Sequence, residues 1–162
     1  MVIVVLGVAG SGKTTVGTML ADALHCPYLE GDSLHSPENI DKMSRGIPLT
    51  DSDRGPWLSA INARMRDFFD RGQNLVVGCS ALNEKYRQIL ARGIAIRWVY
   101  LKASPALIRS RLSDRKNHFM KVDMLDSQFD VLEEPSDAIV VDAGAPLSVV
   151  VDRVLSQLGD IK

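Results

Sequence analysis

The feature that most constrains the fold is the stretch of residues 2–20, VIVVLGVAGSGKTTVGTML. A short apolar run, Val2–Leu6, leads directly into a glycine-rich loop that ends in Gly12-Lys13-Thr14. Apolar residues at helical spacing follow the loop. A strand, a glycine loop and a helix in this order are the context that a phosphate-binding P-loop requires. The alternative is a glycine turn that closes a strand–helix unit without any ligand.

The residue types of this loop suit an anion. Three glycines, Gly7, Gly10 and Gly12, let the backbone turn with positive φ and approach a ligand closely. The inward-pointing N–H groups and the helix N-terminus then form an anion cradle. We expect Lys13 to reach the β- and γ-phosphates of a nucleotide, and the Thr14 hydroxyl to hold Mg²⁺. The predicted nucleotide-binding residues are Gly7, Val8, Ala9, Gly10, Ser11, Gly12, Lys13, Thr14 and Thr15.

Size and charge limit the classes of protein to which the chain can belong. With 162 residues, the chain can build one domain with a real core but not two, so residues 1–162 are predicted to form a single domain. Its 19 basic and 20 acidic residues nearly cancel, so no basic field attracts nucleic acid or an acidic membrane. A small-molecule partner is therefore expected.

No stretch of the sequence indicates export or membrane insertion. Val2–Leu6 lacks a charged leader and is too short for the apolar part of a signal peptide, and no run reaches the length of a membrane span. Cys26 and Cys79 are far apart and have no metal-ligand spacing around them, which is typical of free thiols in a reducing compartment. We therefore expect a cytoplasmic protein.

Apolar runs and helical patterns alternate along the chain. Strands are predicted at residues 2–6, 28–30, 75–78, 94–101 and 138–141, and helices at 13–24, 37–44, 57–70, 83–91, 105–112, 124–132 and 146–158. This order predicts a three-layer α/β fold in which helices cover both faces of a five-stranded parallel sheet. Ligands of such sheets bind where the strands end. Two charged, broken stretches, residues 33–56 and 113–127, are interpreted as a substrate-binding excursion and a lid.

Asp32 is the first candidate for chemistry, because it directly follows the second predicted strand and should lie at the ligand edge. A carboxylate there can accept a proton from a substrate hydroxyl, or hold Mg²⁺. The alternative is that Asp32 caps a helix or a turn. The third predicted strand ends in Gly78-Cys79-Ser80, without the acid that holds the metal in many P-loop proteins, and this favours a functional role for Asp32.

The first excursion contains further candidates. Arg45 and Arg54 suit the carboxylate or phosphate of an anionic substrate, although for each residue taken alone a solvated surface charge is the better explanation. Asp51 and Asp53 stand beside Arg54 and could hold its orientation, although Asp51 could simply be the N-cap of a helix. His35 has no partner at metal spacing, so a structural role is the simpler interpretation.

The start of the predicted lid is rich in arginine. Arg111 and Arg115 are four residues apart, so both can face one side of a helix. During phosphoryl transfer, an arginine that closes over the γ-phosphate can stabilise the charge on its oxygens. The alternative is a solvated, charged face. His118, like His35, has no metal-binding partner nearby in the sequence.

Six segments spread over nearly the whole chain are distinctive. They are GVAGSGKTT at 7–15, EGDSLHSPENIDKMSRGIPLTDSDRGPWL at 30–58, CSALNEKYRQIL at 79–90, YLKASPALIRSRLSDRKNHFM at 100–120, LDSQFDVLEEP at 125–135 and IVVD at 139–142. Together they resemble the gluconate kinases (gluconokinases), P-loop small-molecule kinases related to shikimate and adenylate kinases. The glycine loop alone indicates a nucleotide, whereas GDSLH, the PLTDxDRxPWL pattern, CSAL and HFM point specifically to this family.

The resemblance implies an activity: ATP and D-gluconate give 6-phosphogluconate and ADP, with Mg²⁺. It also implies a lid and, in many members, a homodimer. By likeness, Asp32 is the base toward the gluconate 6-hydroxyl, and Arg111 or Arg115 acts from the lid. The loop 142–146 would lie near the adenine. The residues that the likeness assigns to the sugar acid or the lid around it are His35, Arg45, Arg54, Arg87 and His118.

Three positions depart from the family pattern. Asn83 stands where a lysine commonly follows CSAL, Lys121 follows HFM in place of proline, and Gly55 follows the Asp-Arg pair where a large residue is frequent. None of these changes removes a phosphate-binding group or the base. The alternative function is that of a shikimate-kinase-like enzyme acting on another small hydroxy acid. A non-catalytic nucleotide switch is a further alternative, which the intact loop and base oppose.

Overall fold

A computed structural model describes residues 1–113 and 122–159 of the chain, with side chains in the second range described from residue 125 onward. One five-stranded sheet with the strand order β2-β3-β1-β4-β5 organises these residues. The strands are β1 Val2–Leu6, β2 Tyr28–Glu30, β3 Leu75–Gly78, β4 Ile96–Lys102 and β5 Ile139–Asp142. The helices are α1 Lys13–Ala23, α2 Pro37–Ser44, α3 Asp51–Asp70, α4 Glu84–Leu90, α5 Pro105–Ser113, α6 Val122–Val131 and α7 Leu147–Leu158, with a short 3₁₀ helix at Gly31–Leu34.

Every strand pair in this sheet is parallel, as predicted. The central strand β1 is buried along its whole length, which explains its unbroken apolar sequence. Val2 of β1 is in register with Leu75 of β3 on one side and with Ile96 of β4 on the other. Because the strands are parallel, the segments that follow them meet at one edge of the sheet. The glycine loop follows β1 and Asp32 follows β2, so both lie at this edge.

Two apolar cores flank the sheet, because successive side chains of a strand point to opposite faces. Val4 of β1 packs in the core that contains Trp57 and Met65 of α3. Ile3 and Val5 pack in the other core, together with residues of α1 and α7 such as Leu20 and Val154. The observed fold therefore has the three predicted layers.

The structure corrects the start of helix α3, which was predicted at Trp57 and begins at Asp51. Thr50 is the N-cap, and its hydroxyl accepts a hydrogen bond from the Asp53 N–H at 3.1 Å while the Asp53 carboxylate accepts one from the Thr50 N–H at 2.9 Å. This reciprocal capping box stabilises the first turn. Pro56 is the sixth residue of the helix, so the hydrogen bond that an N–H at this position would donate to the Ser52 carbonyl is missing from the ladder. The suggestion that Asp51 caps the helix was wrong.

The predicted lid is only partly covered by the described residues. Helix α5 ends at Ser113 and α6 begins at Val122, so Arg115 and His118 lie outside the described residues. Their assigned roles stay predictions. Within the described part of the chain, the helices are too short or too polar to cross a membrane.

Candidate active site

The loop between β1 and α1 has the conformation that a phosphate cradle needs. Gly7, Gly10 and Gly12 have φ values of 154°, 79° and 101°, so each occupies a region that is costly for other residues. The Lys13 ammonium donates to the carbonyl oxygens of Gly7 and Val8 at 3.0 and 2.9 Å. These bonds fold the lysine back over the loop and keep its charge beside the N–H groups.

A cavity of about 270 Å³ opens between this loop and the segment that follows β2. Its loop side is lined by Ala9, Gly10, Gly12, Lys13, Thr14 and Thr15. Its other sides are lined by Glu30, Asp32, His35, Met43, Leu49, Arg54, Trp57, Ser80, Leu82, Ser127 and Gln128. The cavity therefore combines an anion cradle with a wall that contains two carboxylates, an imidazole and a guanidinium.

Asp32 lies at the ligand edge, as its position in the sequence predicted. Half of its side-chain surface is exposed (50%), but this surface opens into the cavity and the surrounding protein still desolvates the carboxylate. Burial raises the pKa of Asp32 above its ordinary value, with Lys13 opposing the shift and Glu30 adding to it. A carboxylate whose pKa is raised is a stronger base, which suits proton abstraction from a hydroxyl.

Glu30 is a site residue that the sequence reasoning missed. Its carboxylate accepts hydrogen bonds from the Thr14 hydroxyl at 2.5 Å and from the Tyr28 hydroxyl at 2.9 Å. The signal was available, because Glu30 is the last residue of β2 and stands two positions before Asp32. The Tyr28 ring fits against Gly78, where a Cβ would collide with it. Glu30 thus joins the end of β2 to the first turn of α1.

His35 belongs to the wall of the cavity and is buried, with 8% of its surface exposed. Its ring stacks on Trp57 with 3.9 Å between ring centroids and 17° between ring planes. The Trp57 indole N–H in turn donates to the Gly31 carbonyl at 2.8 Å. Burial, together with the smaller effect of the nearby Arg54 charge, lowers the pKa of His35 to about 4. The imidazole is therefore neutral at physiological pH.

Arg54 also lines the cavity, and a tyrosine of α4 holds its orientation. The Arg54 guanidinium donates to the Tyr86 hydroxyl at 2.9 Å and lies over the Tyr86 ring, 5.2 Å from its centroid. The Tyr86 hydroxyl donates to Asp51 at 2.8 Å, and Lys85 donates to the other oxygen of Asp51 at 2.8 Å. Asp51 therefore orients Arg54 as suggested, but through Tyr86.

The structure does not bring Arg45 and Arg87 to the cavity. Arg45 has 68% of its side chain exposed and pairs with Asp41 at 3.3 Å, one helical turn away. Arg87 is buried with 4% of its surface exposed, and it donates to the carbonyl oxygens of Ala81 and Glu133, both at 2.8 Å. In this arrangement Arg87 ties the loop after β3 to the segment after α6, and neither arginine lines the cavity that contains Asp32.

Arg111 lies on another side of the glycine loop. Its guanidinium donates to the carbonyl oxygens of Gly10, Ser11 and Ala143 at 3.1, 3.2 and 2.6 Å. It lines a smaller cavity of about 190 Å³ that also contains Ala143, part of the loop 142–146 predicted to lie near the adenine. Arg111 therefore joins the glycine loop to the loop after β5, and it is absent from the lining of the cavity that holds Asp32.

Gln128 is the second site residue that the sequence reasoning missed. Its side-chain oxygen accepts a hydrogen bond from the Ala9 N–H of the glycine loop at 2.8 Å, across 119 residues of sequence. Ser127 and Gln128 both line the main cavity. Helix α6, whose first part falls within the predicted lid, thus reaches the phosphate cradle directly. No local pattern in the sequence distinguishes this glutamine from a surface residue.

Comparisons with known proteins agree with this arrangement. A family model described as an AAA domain matches residues 2–135. The thermoresistant gluconokinase of Escherichia coli (strain K12) is 43% identical over 91% of this chain and 87% of its own length. Two crystal structures are similar over most of both chains. An unliganded sugar kinase from Janibacter sp. HTCC2649 has a TM-score of 0.91 and 41% identity, covering 97% of this chain and 93% of that chain. A gluconokinase from Sinorhizobium meliloti 1021 has a TM-score of 0.86 and 43% identity, covering 96% of this chain and 90% of that chain. The chain has the glycine loop and a carboxylate after β2, and relatives of this identity and coverage are gluconokinases. The chain therefore belongs to the gluconokinase family of P-loop kinases.

Proposed function

We propose that this protein transfers the γ-phosphoryl group of ATP to the 6-hydroxyl of D-gluconate, which gives 6-phosphogluconate and ADP. The observation that carries the proposal is that the Asp32 carboxylate shares one cavity with Lys13 and Thr14 of the phosphate loop. The family supports the same reaction, since its members are named for it. The fold thus puts a base for the acceptor alcohol beside a cradle for the donor phosphates.

The loop holds the donor. Its N–H groups and the N-terminus of α1 attract the β- and γ-phosphates, and Lys13 adds a full positive charge. Burial lowers the pKa of Lys13, and the charges of Asp32 and Glu30, which favour the charged form of the lysine, oppose this shift only in part. Bound phosphates would favour that form further. Arg111 would keep the loop in register with the nucleotide through its bonds to Gly10, Ser11 and Ala143.

Asp32 acts on the acceptor. The proton of the 6-hydroxyl passes to the carboxylate while the hydroxyl oxygen bonds to the γ-phosphorus. The bond between that phosphorus and the oxygen bridging to the β-phosphate breaks, and the electron pair leaves with ADP. The raised pKa of Asp32, which burial causes, makes the carboxylate a better proton acceptor than an exposed aspartate.

Arg54 and His35 are the groups placed to hold the sugar acid. The Arg54 guanidinium has further N–H donors besides the one that bonds to Tyr86, and these suit a carboxylate. Tyr86 and Asp51 hold the orientation of the guanidinium. The neutral His35 offers a hydrogen bond without adding charge next to Asp32. Arg45 and Arg87, assigned to the sugar acid by likeness, contact other groups instead. The lid roles of Arg115 and His118 stay predictions.

The oxygen atoms around Thr14 fit a magnesium ion. Mg²⁺ takes oxygen ligands and is usually held by one or two carboxylates together with substrate phosphates and waters. The Thr14 hydroxyl, Glu30 and Asp32 would hold it here, directly or through water. In the described residues no group of three or more His, Cys, Asp or Glu side chains is arranged to hold a metal ion by itself. When bound, the ion neutralises charge on the β- and γ-phosphates.

Release of ADP with and without D-gluconate tests the function, and ³¹P and ¹³C spectra of the product test the position of the phosphate. We expect turnover that depends on both ATP and gluconate, with phosphate on carbon 6. A rate no higher than the ATPase background would end the proposal. The comparisons give no support to a shikimate-kinase-like activity, and shikimate in the same assay serves as the control substrate.

The resemblance also suggests a homodimer, which we include in the proposal. Light scattering coupled to gel filtration measures the mass in solution directly. A mass near twice 17.8 kDa would support a dimer, and a mass near 17.8 kDa at micromolar concentration would contradict it.

A further inference from the structure

Asn39 of helix α2 is a buried amide with 4% of its surface exposed, and its nitrogen contacts two groups. It donates to the Asp53 carbonyl oxygen at 3.0 Å and lies 3.2 Å from Nδ1 of His35. A carbonyl oxygen can only accept, so the atom that faces Asp53 must be the amide nitrogen. The same nitrogen faces His35, so Nδ1 of the imidazole must be an acceptor and carries no proton.

A neutral imidazole has a single N–H, and with Nδ1 occupied as an acceptor the proton lies on Nε2. This nitrogen is 3.8 Å from Oδ1 of Asp32, too far for a good hydrogen bond but on the side of the ring that faces the carboxylate. Stacking on Trp57 fixes the plane of the ring. The Nε2–H therefore points toward the place where an acceptor oxygen of a ligand bound beside Asp32 would lie.

We propose that Asn39 is a positioning residue that holds His35 as its Nε2–H tautomer, so that the imidazole donates a hydrogen bond to a substrate oxygen next to Asp32. This inference rests on the proposed function for the identity of the substrate. The opposite tautomer would put an N–H against the Asn39 amide hydrogens and a lone pair toward the Asp32 carboxylate, and both contacts are repulsive. Asn39 thus selects the tautomer without touching the substrate.

The carbonyl that orients Asn39 is itself firmly held. Asp53 belongs to the capping box with Thr50, and its carboxylate also accepts from the Lys42 ammonium at 2.8 Å. Lys42 lies on α2, the same helix as Asn39, so α2 and the start of α3 are joined at two points. This double connection explains why the amide keeps its orientation.

The tautomer can be measured directly by long-range ¹H–¹⁵N correlation spectra of the histidine rings in the unliganded protein. His35 is assigned by comparison with the His35→Gln variant. We expect the wild-type ring to carry its proton on Nε2, and the Asn39→Ala variant to lose this preference. A wild-type His35 with its proton on Nδ1 would overturn the proposal. This spectrum needs no substrate, so its result stands whether or not the protein phosphorylates gluconate.

Kinetics then separate positioning from simple structural support. Asn39→Ala should raise KM for gluconate by about tenfold, the effect of one lost hydrogen bond to a ligand, and leave KM for ATP unchanged. The matched control is Asn62→Ala, which removes another buried amide that donates to the Leu90 and Arg92 carbonyls. The control should lower stability without changing the His35 tautomer or KM for gluconate.

A double-mutant comparison completes the test. A glutamine at position 35 can offer its amide N–H near the position of Nε2 and has no tautomers, so in the His35→Gln background Asn39→Ala should change KM for gluconate by less than about twofold. Equal effects of Asn39→Ala in both backgrounds, or a folded Asn39→Ala variant with unchanged KM, would overturn the positioning role. A wild-type protein that is inactive toward gluconate would refute the proposed function instead.

Discussion

The phosphate loop and the wall that faces it are built in different ways. In the loop, Lys13 bonds to carbonyls five and six residues away, and glycine φ angles set the path of the backbone. In the facing wall, Arg54 is held by a tyrosine 32 residues away, and Trp57 bonds to a carbonyl 26 residues away. The backbone path of the donor half is therefore encoded locally, with Arg111 and Gln128 bonded to it from distant parts of the chain, whereas the acceptor half is assembled from side chains that only the fold brings together.

This difference has consequences for substitution. A local loop depends on a few backbone conformations, so its function is lost through the loop's own residues. An assembled wall depends on supporting residues that never touch a ligand, such as Asn39 and Tyr86. Four substitutions, two in the site and two in its supports, test this distinction.

Asp32→Asn should have the largest effect. Loss of a general base lowers kcat by about 10²–10⁴-fold, while KM for ATP should change little because the loop is intact. The matched control is Asp41→Asn, an exposed carboxylate of the same excursion that pairs with Arg45. Steady-state kinetics at saturating ATP measure the effect, and an unchanged kcat would remove Asp32 from the role of base.

The pH dependence of the wild-type protein sharpens the same test. Because burial raises the pKa of Asp32, the acid limb of kcat/KM should lie at higher pH than that of an ordinary aspartate. A raised carboxyl pKa means that the folded state binds the proton more tightly than the unfolded state, so Asp32 lowers stability at neutral pH and this cost is relieved as pH falls through its folded pKa. Asp32→Asn should therefore not lower the unfolding midpoint at neutral pH.

Lys13→Ala should come next, with the rate lowered by about 10²–10³-fold, as for loss of one charged donor to a transferring group. Nucleotide affinity should fall with the rate, which separates this variant from Asp32→Asn. Lys102→Ala, which removes an exposed lysine paired with Glu134, is the control. Equilibrium titration with a fluorescent ATP analogue provides the measurement, and retained affinity and rate would contradict the phosphate contact.

Arg87→Met should affect stability more than activity. The buried guanidinium satisfies the Ala81 and Glu133 carbonyls, and leaving them without partners should cost about 2–3 kcal/mol in the free energy of unfolding. Arg71→Met, which breaks an exposed pair with Asp67, is the control and should cost under about 1 kcal/mol. Denaturant titration measures both. A raised KM for gluconate at unchanged stability would instead support the role assigned by family likeness.

Thr50→Ala should have the smallest effect, a loss of about 1 kcal/mol in the free energy of unfolding, because the helix N-cap hydroxyl is removed. Thr50→Ser keeps a capping hydroxyl and should lose little. If Thr50→Ala also shifted the His35 tautomer, the capping box would be shown to act on the site through Asp53 and Asn39.

Much of the fold could be predicted because its signals are local. The apolar runs of the strands and the helical spacing between them predicted the parallel sheet, and the observed strands lie within two residues of the predicted bounds. The start of α3 was missed because a proline at position 56 usually marks the end or the beginning of a helix. In the structure the capping box of Thr50 and Asp53 starts the helix at Asp51, and the helix continues through Pro56. The short 3₁₀ helix Gly31–Leu34 has no periodic pattern and was not predicted.

The site divides in the same way. The glycine loop, Lys13 and Asp32 were predicted, since a motif and a position at a strand end locate them without reference to the rest of the chain. Gln128 and the Asn39–His35 pair were not, because their partners are distant in sequence or depend on the orientation of one amide. Arg87 was assigned to the substrate by likeness, whereas in the structure it is buried where α4 packs against the loop after β3.

By itself, the order of residues determined the phosphate cradle, the sheet behind it and the carboxylate at the end of β2, because backbone conformation and burial patterns depend on near neighbours. Tertiary structure alone decided which side chains face the acceptor and in which protonation state, because burial and hydrogen-bond partners of His35 and Arg54 come from separate elements. Charges and donors act over a few ångströms of space, and only the folded chain sets those distances.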